Sequence, residues 1–262
     1  MKIAITGAGG FIGKELVSYL STRGHEILRL QRESISGPMD RFFDMRSEHS
    51  IPDLTGIDIL IHTAYIKHDA QNIPESSQVN VRTTLALEKA CHDAGVKFIF
   101  LSCMSAHADS ISENGKYKYA IEQRLDLSRD LILRLGLVIG RGGIVEEIRS
   151  QMLKSKFIQL SDRRHTVQII DILDLCRSIE KAIATNATGI YNVAKEKPYA
   201  LSDIYRMIAA RLNKKPAFIP FGSSLSDPTG IRDIKIFDCK SDMDKLGISI
   251  SDAEKAAADP MA

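Results

Sequence analysis

No stretch of this sequence stays apolar for the ~20 residues that a membrane-crossing helix needs, so a spanning protein is not expected. An excess of one charge is missing too: 35 Lys and Arg stand against 33 Asp and Glu. So even a balance gives no electrostatic case for nucleic acid or an anionic membrane surface as the main partner. Cysteine is sparse. Cys91, Cys103, Cys176 and Cys239 are scattered, without a Cys-x-x-Cys, and none of the 7 histidines stands at metal-ligand spacing from one of them. That pattern excludes a zinc-finger type of site and a disulfide framework, and it points to reduced thiols in a cytoplasmic protein with no metal centre. The first residues lack the build of a secretory signal, because their apolar stretch is a strand long and ends in glycines. Internal repeats and low-complexity segments are absent. What remains, 262 residues, suits one sizeable α/β domain or a domain with a small lobe.

What is present begins at once. Lys2-Ile3-Ala4-Ile5 reads as a strand and runs into Thr6-Gly7-Ala8-Gly9-Gly10-Phe11-Ile12-Gly13. A helical pattern follows, with Phe11, Leu16, Val17 and Leu20 apolar and Lys14, Glu15 and Ser18 polar. Strand, glycine turn and helix in this order is the setting of a phosphate-binding loop. Gly7 makes the tight turn, Gly10 lets backbone N–H groups approach a pyrophosphate, and Gly13 lets the helix pack on the strand. The helix start adds unpaired N–H groups and partial positive charge. A bound dinucleotide is therefore expected; a plain strand-to-helix turn without a ligand is the alternative.

Apolar strands alternate with amphipathic helices through the first half. Glu26–Leu30, Arg41–Asp44, Ile57–His62, Lys97–Leu101 and Leu131–Leu135 read as strands. Val79–Ala94 and Tyr117–Ser128 read as helices, the first stopped by Gly95. The alternation predicts a parallel sheet covered on both faces. Further on, Glu146–Lys156 reads as a helix, Val167–Ile170 as extended, and Asp174 as the cap of a helix to about Thr185. Gly189–Val193 reads as a strand, Leu201–Leu212 as a helix, Pro216–Pro228 as loop and Ala253–Ala262 as a frayed helix.

With the strands placed, the chain resembles the extended short-chain dehydrogenases/reductases, the nucleotide-sugar epimerases, dehydratases and reductases. Thr6–Gly13 matches T-G-x-x-G-x-x-G, Asp58–Ala64 resembles D-x-V-I-H-x-A, and Asn80–Leu85 resembles N-V-x-G-T-x-N. Phe98–Ser102 resembles the strand that leads to the catalytic serine region. Leu133–Gly140 resembles L-R-P-x-x-V-Y-G, Ile172–Leu175 resembles V-D-D-L, and Gly189–Val193 resembles G-x-Y-N-V. The resemblance implies a Rossmann-type doubly wound parallel sheet with a small C-terminal substrate lobe. Residues 1–141 and 166–194 would form the NAD(P)-binding domain, and 142–165 with 195–262 the lobe.

The resemblance also implies a cofactor site. Gly7, Gly10, Phe11, Ile12 and Gly13 would hold the pyrophosphate, Asp44 and Met45 would sit by the adenine, and Ala64 would lie under the cofactor. An acidic residue at the end of the second strand suits NAD, and an arginine suits the 2′-phosphate of NADP. Leu30 is followed by Gln31, Arg32 and Glu33. Gln31 takes the acidic position and Arg32 offers a bidentate phosphate partner, which favours NADP over NAD; the alternative is that Glu33 serves the ribose.

At the catalytic positions the pattern departs from the family. The family uses a serine or threonine, a tyrosine, and a lysine four residues on, which shares the helix face, binds the ribose and lowers the tyrosine pKa. Here Asn114-Gly115-Lys116-Tyr117-Lys118 occupies that stretch, so Lys118 is in place, while Asn114 stands at the tyrosine and Tyr117 at a serine. An amide does not ionise. Leu101-Ser102-Cys103 puts Cys103 where the catalytic hydroxyl is expected, with Ser105 the nearest replacement. Cys103 is read either as part of the site or as a small buried apolar residue. Three accounts compete: a rearranged proton donor such as Tyr117 or Tyr119, a catalytically silent NAD(P)-binding regulator, and an altered form of an enzyme that carries tyrosine. On the substrate side, a nucleotide sugar is the expected small-molecule partner and a homodimer is possible. Arg163, Arg164 and His165, or Arg141 among glycines, are candidates for its diphosphate, while Thr63 and Tyr65 would line the cleft beside a structural His62.

Overall fold

The computed structural model describes residues 1–33, 35–67, 73–154, 157–160, 165–215, 217–220 and 233–248. Strand β1 (Lys2–Thr6) runs into helix α1 (Phe11–Thr22), followed by β2 (Glu26–Gln31) and the short β3 (Asp40–Phe42). β4 (Ile59–His62) precedes α2 (Ile73–Asp93), β5 (Lys97–Cys103) precedes α3 (Glu113–Glu122), and β6 (Leu131–Leu135) is followed by β7 (Leu137–Ile139). α4 (Gly143–Lys154), β8 (Phe157–Leu160), β9 (Thr166–Val167), β10 (Ile169–Asp171) and α5 (Ile172–Ala184) come next. β11 (Gly189–Val193), β12 (Tyr199–Ala200), α6 (Leu201–Arg211), β13 (Ala217–Pro220) and α7 (Cys239–Lys245) complete the described chain.

Seven strands form one parallel sheet in the order β3-β2-β1-β4-β5-β6-β11. The strand alternation explains how both faces are buried. Ile3, Ile5, Ile59, Ile61, Ile99, Leu101, Leu131 and Leu133 point to one side, where Leu16 and Leu20 of α1 and Leu175 and Ile179 of α5 cover them. Ala4, Leu28, Leu30, Leu60, Phe98, Phe100 and Ile132 point to the other, under Leu87 and Cys91 of α2 and Tyr117 and Ile121 of α3. Each such fully buried side chain contributes roughly 1.5–3 kcal/mol. A third cluster joins α4, α6 and the short strands β7, β9 and β10 through Ile139, Ile148, Met152, Val167, Ile204 and Ile208. The strand order reverses between β1 and β4, so a crevice opens where their C-terminal ends diverge, the place where open α/β sheets bind ligands.

Several local expectations need correcting. The helix expected from Tyr117 begins at Glu113, because the Ser112 hydroxyl caps it by accepting from the Gly115 N–H at 3.0 Å. Asn114 and Gly115 are therefore helical. Asp171, not Asp174, caps α5: its carboxylate accepts from the Leu173 N–H at 2.9 Å, while Asp174 pairs with Arg177 inside the first turn. The segment read as loop from Pro216 contains β13, which pairs in parallel with β8; the rest of that stretch to Pro228, like the tail Ala253–Ala262, lies outside the described residues. α7 had no counterpart in the sequence reading; Asp238 caps it through the Ser241 N–H at 3.2 Å. Among the described residues no helix is long and apolar enough to cross a membrane.

Candidate active site

The glycine loop is built as a close-packed turn. Gly7 has a φ of 65°, and its N–H donates to the Leu30 carbonyl at 3.0 Å, which ties the loop to β2. A Cβ on Gly7 would stand 2.9 Å from Thr63 Oγ1 and 3.0 Å from the Ala64 backbone. A Cβ on Gly13 would overlap the Gly7 carbonyl oxygen and lie 2.8 Å from its carbon. Both glycines are thus required by chain packing, and they draw the start of α1 against the end of β4. Gly10 is the N-cap; among the described residues no side chain caps α1, and its first turn holds no acidic residue. The N–H groups of Phe11, Ile12 and Gly13 start the helix and face the switch point with the dipole's positive end. The Phe11 ring is wrapped by Gly140, Gly142 and Gly143, where a Cβ would come within 2.6–2.9 Å of it. The turn holding Arg141 therefore packs directly on the loop.

Thr6 and His62 organise the ends of β1 and β4. Thr6 Oγ1 accepts from the N–H groups of Thr63 at 3.1 Å and Ala64 at 3.2 Å, so its hydroxyl proton goes to His62 Nδ1 at 2.8 Å. That leaves the His62 proton on Nε2, donated to Thr84 Oγ1 at 3.0 Å. The ring stacks between Phe98 and Phe100, with centroids 6.0 Å away. Burial, reinforced by the charge of Lys118, lowers the His62 pKa to about 3, so the ring is a neutral structural spacer. Asn80 fixes the chain after β4, accepting from the Ile66 N–H at 2.8 Å and donating to its carbonyl at 3.0 Å.

At the end of β2, Gln31 lies against Gly9, its Oε1 3.6 Å from where a Cβ would be. Arg32 is exposed and pairs with Glu33 at 2.9 Å. The following turn is clasped by buried Asp40, which accepts from both nitrogens of an Arg29 fork at 2.6 and 3.1 Å and from the N–H groups of Ser36 and Gly37. The Ser36 N–H is the main cause that holds the Asp40 pKa below the usual carboxylate value. Asp44 is half-buried and accepts from the Arg46 N–H, whereas the Met45 side chain is buried in the core and its carbonyl accepts from Thr83 Oγ1 at 2.7 Å. Ala64 lies under the loop.

The departures from the family pattern gather at one point. Cys103 Sγ is 3.0 Å from Ser105 Oγ, and Asn114 Nδ2 donates to the same sulfur at 3.5 Å. Gly115 permits this: a Cβ there would overlap the Ser105 carbonyl oxygen and the Ser110 hydroxyl, so glycine lets α3 press onto the loop after β5. One turn on, Lys118 Nζ donates to the Leu101 carbonyl at 3.1 Å. Beneath the cluster Ser102 Oγ donates at 2.5 Å to Glu122, which takes the Arg134 guanidinium in a fork at 2.5–3.1 Å. Tyr117 is core, packed with Phe100 and Ile121, and burial raises its pKa well above the usual value. Cys103 stays partly accessible, while Cys91, Cys176 and Cys239 are buried.

The structure therefore brings together Cys103, Ser105 and Asn114, with Lys118 and Tyr117 on the same helix. It keeps Arg32, Asp44 and Met45 at the other end of the crevice, beyond β1. Arg163 and Arg164 lie outside the described residues; His165 is described, and its carbonyl accepts from the Leu201 N–H at 2.8 Å. Sequence reading missed the Thr6 hub and the Asp40 clasp. The threonine opening the glycine motif was a signal for the first; nothing marked the second. A further cluster, Glu88, His92 and Asp130, sits at the opposite end of the sheet, with the imidazole between two carboxylates at 3.2 and 2.9 Å.

The glycine cradle, the uncapped start of α1 and the absence of acid from its first turn fit a dinucleotide pyrophosphate. Comparisons agree with that fit. The model of the NAD dependent epimerase/dehydratase family matches residues 3–194. The UDP-2-acetamido-2,6-beta-L-arabino-hexul-4-ose reductase of Pseudomonas aeruginosa is 26% identical over 217 residues, covering 77% of this chain and 55% of that protein. The chain thus spans about half of that relative's length. UDP-glucose 4-epimerase from Thermotoga maritima, solved with UDP-glucose, superposes with a TM-score of 0.76 at 20% identity, covering 95% of this chain and 93% of that one. The Thermus thermophilus UDP-glucose 4-epimerase complex with NAD gives 0.68 at 19%, covering 89% and 97%.

Proposed function

This chain belongs to the NAD dependent epimerase/dehydratase family, and from that premise we propose that it binds NADP(H) in preference to NAD(H) and performs epimerisation, dehydration or reduction on a nucleotide-linked sugar. One observation carries the reading: the glycine cradle, the Lys118 ammonium and the Cys103–Ser105–Asn114 cluster stand at the C-terminal ends of the adjacent strands β1, β4 and β5. Gly7, Gly10, Phe11, Ile12 and Gly13 hold the pyrophosphate, Ala64 lies below it, and Asp44 and Met45 flank the adenine. Lys118 turns from the Leu101 carbonyl to the nicotinamide ribose. The cofactor, once bound, supplies or accepts hydride; the protein supplies orientation and proton management. The substrate is held by residues of 142–165 and 195–262, with Arg141 near its diphosphate.

The preference for NADP(H) rests on Gln31, an amide at the position where an acidic residue suits NAD, and on Arg32, whose fork can exchange its exposed partner Glu33 for a 2′-phosphate. Asn114 at the tyrosine position favours a second reading, a cofactor-binding regulator without turnover. A binding titration beside a turnover assay on a panel of nucleotide sugars and their keto forms separates them. Cofactor-linked turnover supports the enzyme; tight binding with no turnover on any member supports the regulator; no binding refutes both.

A further inference from the structure

We propose that Cys103 is the catalytic residue that carries the proton exchanged with the substrate oxygen, and that Ser105 and Asn114 are positioning residues for its sulfur. This rests on the reading above and names the group that does the work of the missing tyrosine. Asn114 has no proton to give or take at physiological pH. Ser105 is buried and engaged with the sulfur. Lys118 Nζ is assigned above to the nicotinamide ribose, and His62 is enclosed between Thr6 and Thr84. Tyr117 is packed into the core between the sheet and α3. Tyr65 is half exposed on the loop after β4, where its electrostatic neighbours are Lys67, Glu147 and the buried Tyr117.

Cys103 differs from each of these. It ends β5 at the crevice and is the partly accessible one of the four thiols. A thiol has a proton to give and, once ionised, a sulfur that takes one back, as a general acid and base must. The Asn114 amide donates to Sγ at 3.5 Å and the Ser105 hydroxyl lies 3.0 Å away. Both can donate to a thiolate, so the arrangement steadies the sulfur after the proton has left. In the reducing direction the S–H bond breaks and an O–H bond forms on the substrate oxygen as its carbon gains hydride. The thiolate then recovers a proton from water through its accessible side. In the oxidising direction the thiolate takes the hydroxyl proton instead.

The test has two readouts. The first needs no cofactor: the rate of iodoacetamide alkylation at Cys103 against pH, located by peptide mass spectrometry. Asn114→Ala and Ser105→Ala are each expected to slow alkylation at neutral pH about tenfold, through the loss of a hydrogen bond to the thiolate. Unchanged profiles in both variants overturn the positioning roles and with them the proposal. The second is turnover with cofactor Kd measured on the same samples. Cys103→Ala is expected to lose about 10²–10⁴-fold in kcat with Kd unchanged. A Cys103→Ala protein that turns over normally overturns the proposal, as does an Asn114→Tyr variant that gains tenfold or more. Wild type that binds no cofactor fails the reading above instead, and wild type that binds it without turnover removes the catalytic role.

Discussion

Glu122 offers the sharpest test of how the site is held. Its side chain is fully buried and accepts three hydrogen bonds from Arg134, at 2.5, 3.1 and 3.1 Å, and one from Ser102 at 2.5 Å. Arg134 is itself only 17% exposed, with its guanidinium 5.8 Å from the Phe237 ring. Glu122→Ala leaves that guanidinium buried without its counter-charge, and removing one partner of such a pair costs about 3–5 kcal/mol. A domain of this size loses roughly 2–4 °C per kcal/mol, so Tm should fall by roughly 6–20 °C. Urea unfolding with an unchanged m-value would confirm a stability change rather than a change of compactness. The paired substitution Glu122→Met with Arg134→Met should recover most of the loss, because the cost lies in the orphaned charge. A Glu122→Ala loss under about 1 kcal/mol, the range of exposed pairs, would refute the reasoning. Ser102 precedes Cys103 and Glu122 follows Lys118 by one turn, so the same variant should also blur the Cys103 alkylation profile.

Three other outcomes follow from the geometry. Gly13→Ala drives a methyl into the Gly7 carbonyl, so cofactor Kd should rise at least about tenfold, or about 1.4 kcal/mol, in a calorimetric titration. Gly115→Ala pushes α3 off the Ser105 carbonyl; overpacking of this kind costs about 1–3 kcal/mol, readable as a lower Tm. His62 is held at about 3 when folded against about 6.5 unfolded. The unfolded chain therefore takes up a proton that the fold refuses as pH falls below about 6.5, and stability declines toward pH 3. Between pH 7 and 4.5 wild type should lose roughly 2–3 kcal/mol more than His62→Gln does over the same interval, measured by urea unfolding.

How much of this was legible depended on the distance over which each feature is decided. Leu131–Leu135 and the start of β1 were plain, since each is a short apolar run between turn residues and its pairing buries both faces. α3 starts four residues before the expected Tyr117 and ends at Glu122 rather than Ser128. The helix takes in Asn114 and Gly115 because Ser112 caps it and the missing Cβ of Gly115 is filled by Ser105 and Ser110. Asp171 and Asp174 both suit an N-cap, and only the point where β10 stops selects the first. The β8–β13 pair joins segments about sixty residues apart, beyond any local pattern. In the site, the glycine motif announced itself through spacing. The resemblance put Cys103, Ser105 and Asn114 at the catalytic positions, but not the contact of the Asn114 amide with the sulfur, which depends on how closely α3 packs on the loop after β5.

A dinucleotide in the glycine cradle is what every proposed role in this site depends on. Isothermal titration of the wild-type chain with NADPH and with NADH measures this directly. One saturable site per chain, with NADPH the tighter ligand, is the predicted result. No heat of binding with either nucleotide up to millimolar concentration would contradict the claim.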